Sequence, residues 1–285
     1  MFVGISAQTK KSFLIKLKKR LNCEVEGLDF LNKPNESCCI INNWAENQTA
    51  GIIKQLLPPG AVTANTRIVL ANAIYLKGLW ARPFHSGETK AKEFYCADKS
   101  ISEVKMMRTL DDYKVMYDQN LKLHCLQIPY EGNEISMCIF LPDSRFGLAE
   151  VEQKLSSEKM NELINECRTR EVALALPKFC IEFEKDLVDT LQALGIVDVF
   201  NDSKSALTRL SDKARLHVSS VAHKAYIEVN EEGTKAAAVT PTMVCEPLCR
   251  VNPLFEFNCN HPFVFVIRHN ETKQFLFLGK FAFPN

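Results

Sequence analysis

EEGTKAAAVTPTMVCEPLCRVN, residues 231–252, is the one long segment of this chain that fits neither a helix nor a strand. Small residues fill its first part and hydrophobic ones are scattered through the rest. Gly233, Pro241 and Pro247 deny it a stable helix, because glycine is too free and proline lacks the backbone donor. Yet it lies between two strand-like runs, 225–229 before it and 263–268 after it. A long irregular segment inside a compact domain is usually functional, so this stretch sets the question that the rest of the sequence must answer.

Upstream of it, strands dominate. Residues 67–76, 104–107, 113–117, 121–130 and 135–141 are rich in Ile, Val and Tyr and are separated by Asp, Asn and Gly turn residues. Val172, Leu174 and Leu176 alternate as in a half-buried strand. Helical spacing relates Phe13, Leu14, Leu17 and Leu21, and again Trp44, Ile52, Ile53 and Leu56 in a helix expected over 42–57 and stopped by Pro58 and Pro59. Leu148 to Ile164 predicts one or two short helices. Leu187, Leu191 and Leu194 mark another, with Gly195 as its cap. Strands at 216–221, 225–229, 263–268 and 275–281 close the chain. Strands and helices come in runs without βαβ alternation, so the class is α+β. No repeat or linker interrupts it, and a single domain over 1–285 is expected.

Composition narrows the function. The 285 residues are 46% hydrophobic and 24% charged, with 35 basic against 34 acidic side chains. That excludes disorder, and it leaves no net field to steer the chain onto nucleic acid or an acidic membrane. No run is long enough to span a bilayer. The start, with Phe2, Val3 and Ile5 followed by Lys10 and Lys11, lacks a signal-peptide core. Lys10, Lys11, Lys16, Lys18, Lys19 and Arg20 could bind a polyanion, but a solvated helix face explains them better. The 11 cysteines have no CxxC spacing and read mainly as buried thiols of a reducing compartment. Sequons at Asn35, Asn47, Asn201 and Asn270 keep secretion open, so the compartment is cytoplasmic or extracellular.

Catalysis finds no support. GxSxG, HExxH, the P-loop and GxGxxG are all missing, and the 6 histidines are dispersed without metal-ligand spacing. The chain is read as no enzyme, with no cofactor and no metal.

Four blocks carry a resemblance: NNWAENQTAGIIKQLLPPGAV at 42–62, LANAIYLKGLWARPF at 70–84, AHKAYIEVNEEGTKAAA at 222–238, and CNHPFVFVIRHNETKQFLFLGKFAFP at 259–284. Together they resemble the serpins, ovalbumin-type members most of all, along essentially the whole chain. The resemblance implies an α+β serpin fold of three β-sheets with surrounding helices and an exposed reactive loop at about 231–252. It implies a suicide inhibitor of serine proteases whose cleaved loop inserts into the large sheet as an added strand. Glu231, Glu232, Gly233 and Thr234 would form the hinge. Ala236, Ala237 and Ala238 would enter the sheet first, since short side chains slide between strands. Asn72 and His223 match a polar pair beneath the strand opening, where a buried imidazole bonded to an amide would act as a gate. Trp80 matches the tryptophan near the place where the loop goes in.

Three departures qualify the match. The helices that open a typical serpin have no counterpart before Phe2, so an N-terminally incomplete fold is expected. Lys235 stands where the family has an acidic residue, and Pro241 would interrupt an inserted strand. Counting from Gly233 puts the scissile bond at Pro247–Leu248. A distal loop one residue longer than usual shifts the preference to Leu248–Cys249, for a chymotrypsin-like target, with Arg250–Val251 second, for a trypsin-like one. The alternative to inhibition is a non-inhibitory serpin-like binding or structural protein.

Overall fold

The computed structural model describes residues 1–212, 216–232 and 254–284. In chain order come β1 (Phe2–Gly4), α1 (Lys11–Leu21), β2 (Glu26–Leu28), α2 (Pro34–Gln48) and β3 (Ile68–Leu76). Next are β4 (Lys90–Tyr95), β5 (Ile101–Asp118), β6 (Leu123–Pro129), β7 (Ile135–Pro142), α3 (Leu148–Glu152), α4 (Ser157–Glu166) and β8 (Arg168–Pro177). The last are β9 (Phe179–Asp186), α5 (Val188–Ala193), β10 (Val218–Val229), β11 (Phe255–Asn258), β12 (Phe263–His269) and β13 (Phe275–Phe281). The chain divides into two compact units, Met1–Leu76 with Ile181–Ile227, and Lys77–Cys180 with Glu228–Asn285. None of the helices among the described residues is long and apolar enough to cross a membrane.

The first unit is organised by a five-stranded sheet in the order β2-β1-β3-β10-β9. β1 is antiparallel to β3, whereas β3 and β10 run parallel, from Ile68 opposite Val218 to Leu76 opposite Ile227. α2 covers this unit's core with Cys38, Ile41 and Ala45, which pack with Leu56, Val69 and Ala222. Ile41 is fully enclosed, and burial of such a side chain contributes about 1.5–3 kcal/mol.

α2 differs from the helix expected at 42–57. It begins at Pro34, whose fixed φ and missing N–H suit the first helical turn. It ends at Gln48, because Ala50 and Gly51 adopt left-handed angles (φ 51 and 83) that a helix cannot continue. Ile53 and Leu56 still reach the core, but on an irregular stretch tied back to the helix. Asn42 Oδ1 accepts from the backbone N–H groups of Leu56 at 2.9 Å and Leu57 at 2.8 Å. The apolar spacing therefore reported shared burial rather than shared helicity. α1 matches its expected stripe, although Leu21 at its end is exposed.

The second unit holds an eight-stranded sheet in the order β11-β8-β5-β6-β7-β12-β13, with β4 on β5. The strands expected at 104–107 and 113–117 are one continuous strand of 18 residues. Leu110, Asp111 and Asp112 do not interrupt it because β8 pairs antiparallel with β5 through them, from Met106 opposite Pro177 to Val115 opposite Arg168. This run also fuses what the resemblance implied as separate sheets. Among the described residues, the β4, β8 and β11 group and the β6, β7, β12 and β13 group share β5, so the hydrogen bonding joins two of the three expected sheets into one network. α3 and α4 cover one face, placing Leu148, Val151, Leu163 and Ile164 against Leu123, Cys138, Phe140 and Val266. Ser156 caps α4 by accepting from the Lys159 N–H.

Cys38, Cys96, Cys125, Cys138, Cys167 and Cys259 are buried, as small hydrophobes would be, while Cys39 and Cys180 are exposed. The segments at 216–221 and 225–229 form the single strand β10, and β13 occupies the range 275–281 read from the sequence.

Candidate functional site

In the first unit, β3 and β10 set Asn72 directly opposite His223. The imidazole Nδ1 donates to Asn72 Oδ1 at 3.1 Å. The pair expected from the sequence is present, but its burial is not as expected. His223 is half-buried beside the exposed ring of Phe183, and Asn72 is exposed. Burial still holds the imidazole below its ordinary value of 6.5, so the ring is neutral near pH 7.

The neighbouring Lys224 was not picked out from the sequence. The residue is 7% exposed, and its ammonium meets Glu182 Oε1 at 2.5 Å and Glu184 Oε2 at 3.0 Å and donates to the Gln55 carbonyl at 2.8 Å. Burial alone would lower its pKa, but the two carboxylates outweigh that and raise it. The side chain thus ties β10 to β9 and to the stretch after α2.

In the second unit, the described residues before the loop are held by backbone and side chain together. Trp80 Nε1 donates to the Asn230 carbonyl at 2.8 Å, and the Trp80 N–H donates to the Glu232 carbonyl at 3.3 Å. The Phe84 N–H donates to the Glu231 carbonyl at 2.8 Å. Trp80 stacks on Tyr130, with ring centroids 4.4 Å apart, and meets Phe84 edge-on. The stack needs Gly78: a Cβ there would lie 2.6 Å from the Tyr130 ring. A cavity of about 770 Å³ opens beside this cluster, lined by Trp80, Phe84, Lys178 and Glu231 among others.

Glu231 is anchored rather than free. Lys178 Nζ lies 2.6 Å from Glu231 Oε2, and Thr89 Oγ1 donates to Glu231 Oε1 at 2.8 Å. Burial would raise this carboxyl, yet Lys178, Thr89 and a backbone N–H together hold it below the ordinary carboxylate value. Thr89, Lys178 and Tyr130 carried no signal in the sequence, since their partners lie far away along the chain.

Two of the expected hinge residues, Glu231 and Glu232, are therefore fixed at their backbones, and Glu231 also through its side chain. Gly233, Thr234, Ala236, Ala237 and Ala238 lie outside the described residues, as do Lys235, Pro241 and the scissile candidates Pro247, Leu248, Cys249 and Arg250. In the basic cluster, Lys10 pairs with Asp212, while Lys11, Lys16, Lys18, Lys19 and Arg20 are exposed.

A family model described as Serpin (serine protease inhibitor) matches residues 1–284. Serpin B3 of Homo sapiens is 39% identical over 284 residues, covering 96% of this chain and 70% of that protein. The leukocyte elastase inhibitor of Sus scrofa is 40% identical over 278 residues, covering 95% and 73% respectively. Among solved structures, uncleaved ovalbumin superposes with a TM-score of 0.89 at 30% identity, covering 99% of this chain and 72% of its own. A maspin crystal structure gives 0.88 at 28% identity, covering 99% and 75%.

Proposed function

The chain belongs to the serpin family, and on that premise we propose that it inhibits serine proteases as a suicide substrate through residues 231–252. One observation supports this most. β3 and β10 are parallel neighbours, and the loop segment follows β10 after Asn230 alone. A chain that reverses there runs antiparallel to β10. Inserted between the two strands, it would also be antiparallel to β3. One parallel pairing would become two antiparallel ones, which are slightly more stable per residue.

In this reading the protease serine attacks a loop carbonyl, the amine side leaves, and an ester joins the enzyme to the loop. Insertion then outruns hydrolysis of that ester. Asn72 and His223 form the gate, and Trp80 with the anchored Glu231 fixes the base of the segment so that the pivot falls at Gly233 and Thr234. Ala236, Ala237 and Ala238 go in first. The preferred scissile bond is Leu248–Cys249, pointing to a chymotrypsin-like enzyme, and Arg250–Val251 is second, for a trypsin-like one. The relatives named as leukocyte elastase inhibitors make an elastase a sensible third member of a test panel.

The test is incubation with a chymotrypsin-like, a trypsin-like and an elastase-like protease, followed by a denaturing gel. A covalent band stable to denaturant supports the proposal. Cleavage within 231–252 with all protease activity retained supports the second reading, a non-inhibitory serpin-like binding protein, which Pro241 favours because an inserted proline forfeits a ladder hydrogen bond.

A further inference from the structure

A cavity of about 800 Å³ in the second unit encloses a cation that no carboxylate among the described residues neutralises. Arg268, on β12, is only 4% exposed. One of its terminal nitrogens donates to Asn165 Oδ1 at 3.1 Å, while Nε has no partner among the described residues. A buried guanidinium without a countercharge carries a desolvation cost that a bound anion would offset.

The neighbours sharpen the chemistry. Lys114 lines the same cavity from the exposed side, with no ion-pair partner among the described residues. Arg82 is there as well but is already paired with Asp111. Among the lining residues, Asp112 is the single carboxylate.

We propose that this cavity binds a small organic oxyanion, with its carboxylate or phosphate on Arg268 and Lys114 and its body against Pro129, Ile164 and Cys167. The volume lies in the range of pockets that enclose an organic ligand and far exceeds what a bare ion fills. An anion placed there would satisfy the guanidinium.

Calorimetric titration of the full chain with inorganic phosphate, phenyl phosphate and phenylacetate tests it. Phenyl phosphate or phenylacetate should bind at one saturable site, more tightly than inorganic phosphate, and the tighter of the two identifies the headgroup. Lys114→Gln should weaken binding about tenfold, the value of one charge-assisted hydrogen bond. Asp112→Asn should tighten it a few-fold by removing a like charge. Arg268→Lys should weaken it, but that side chain is buried, so the two exposed positions carry the test if the variant does not fold. Absence of saturable binding at millimolar concentrations overturns the proposal. So does affinity unmoved by both Lys114→Gln and Asp112→Asn, or inorganic phosphate binding as tightly as the aromatic probes.

Discussion

Lys178 and Glu231 meet with 2.6 Å between ammonium and carboxylate, and the glutamate side chain is only 13% exposed. The contact joins the residue after β8 to the last described residues before the loop. Thr89 completes this charged anchor.

Glu231→Gln should therefore destabilise the chain by roughly 1 kcal/mol, since Lys178 is a third exposed and water takes over part of the lost bond. The carboxyl is held below its ordinary value of 4.5 when folded, so its contribution is complete above that pH and is lost as the pH falls through the lower folded value. Denaturant midpoints measured against pH should show a difference between parent and variant that is constant above about 4.5 and shrinks below it. A constant difference down to the lowest pH would remove the ion pair from the account.

Gly78→Ala should cost about 1–3 kcal/mol, because the added methyl must displace the Tyr130 ring. Tyr130 stacks on Trp80, so the tryptophan should become more accessible to acrylamide quenching. Unchanged quenching together with unchanged thermal stability would show that the close approach is not needed.

His223 titrates with the opposite sign to a salt-bridged histidine. Burial keeps His223 below 6.5, so the unfolded chain takes up the proton first as the pH falls. Its stabilising contribution is complete well above 6.5, declines from there, and levels off below the folded value. The stability difference between parent and His223→Gln should follow that curve, which also cancels the other histidines. A difference independent of pH would mean that the imidazole titrates alike in folded and unfolded chains.

Thr234→Arg should abolish covalent protease trapping while leaving the loop cleavable. If Thr234 enters the sheet early, an unpaired guanidinium in the central layer costs several kcal/mol, on the order of the penalty for burying a lone charge. Slower insertion gives the ester time to hydrolyse. Trapping as efficient as the parent's would sink either this register or the insertion step.

Much of this was legible beforehand because local chemistry decided it. The run at 275–281 is β13, and Gly195 closes α5 at a φ of 92 that favours glycine. The match of Asn72 to His223 rested on motif position, and the two strands bring them into register. What escaped was set by distant partners. Asp111 and Asp112 read as a break in the strand, but β8 supplies a ladder through them. Glu231 read as part of a hinge, and its anchors Lys178 and Thr89 lie 53 and 142 positions before it. Lys224 carried no signal of its own, because Glu182 and Glu184 come alongside only in the folded sheet.

The pairing of β3 with β10 also fixes a schedule. Asn72 and His223 are 151 positions apart. At about 5–20 residues per second on the ribosome, the partner edge of β3 waits roughly 8–30 s for β10 to be made. Through that interval a strand containing Ile68, Val69, Leu70 and Ile74 offers unpaired backbone groups, the kind of edge that captures other chains. The sheet that accepts a strand late in the life of the protein has already had to remain unclaimed early in it. Synthesis at a slower rate, or at higher local concentration of nascent chains, should therefore cost yield before it costs stability.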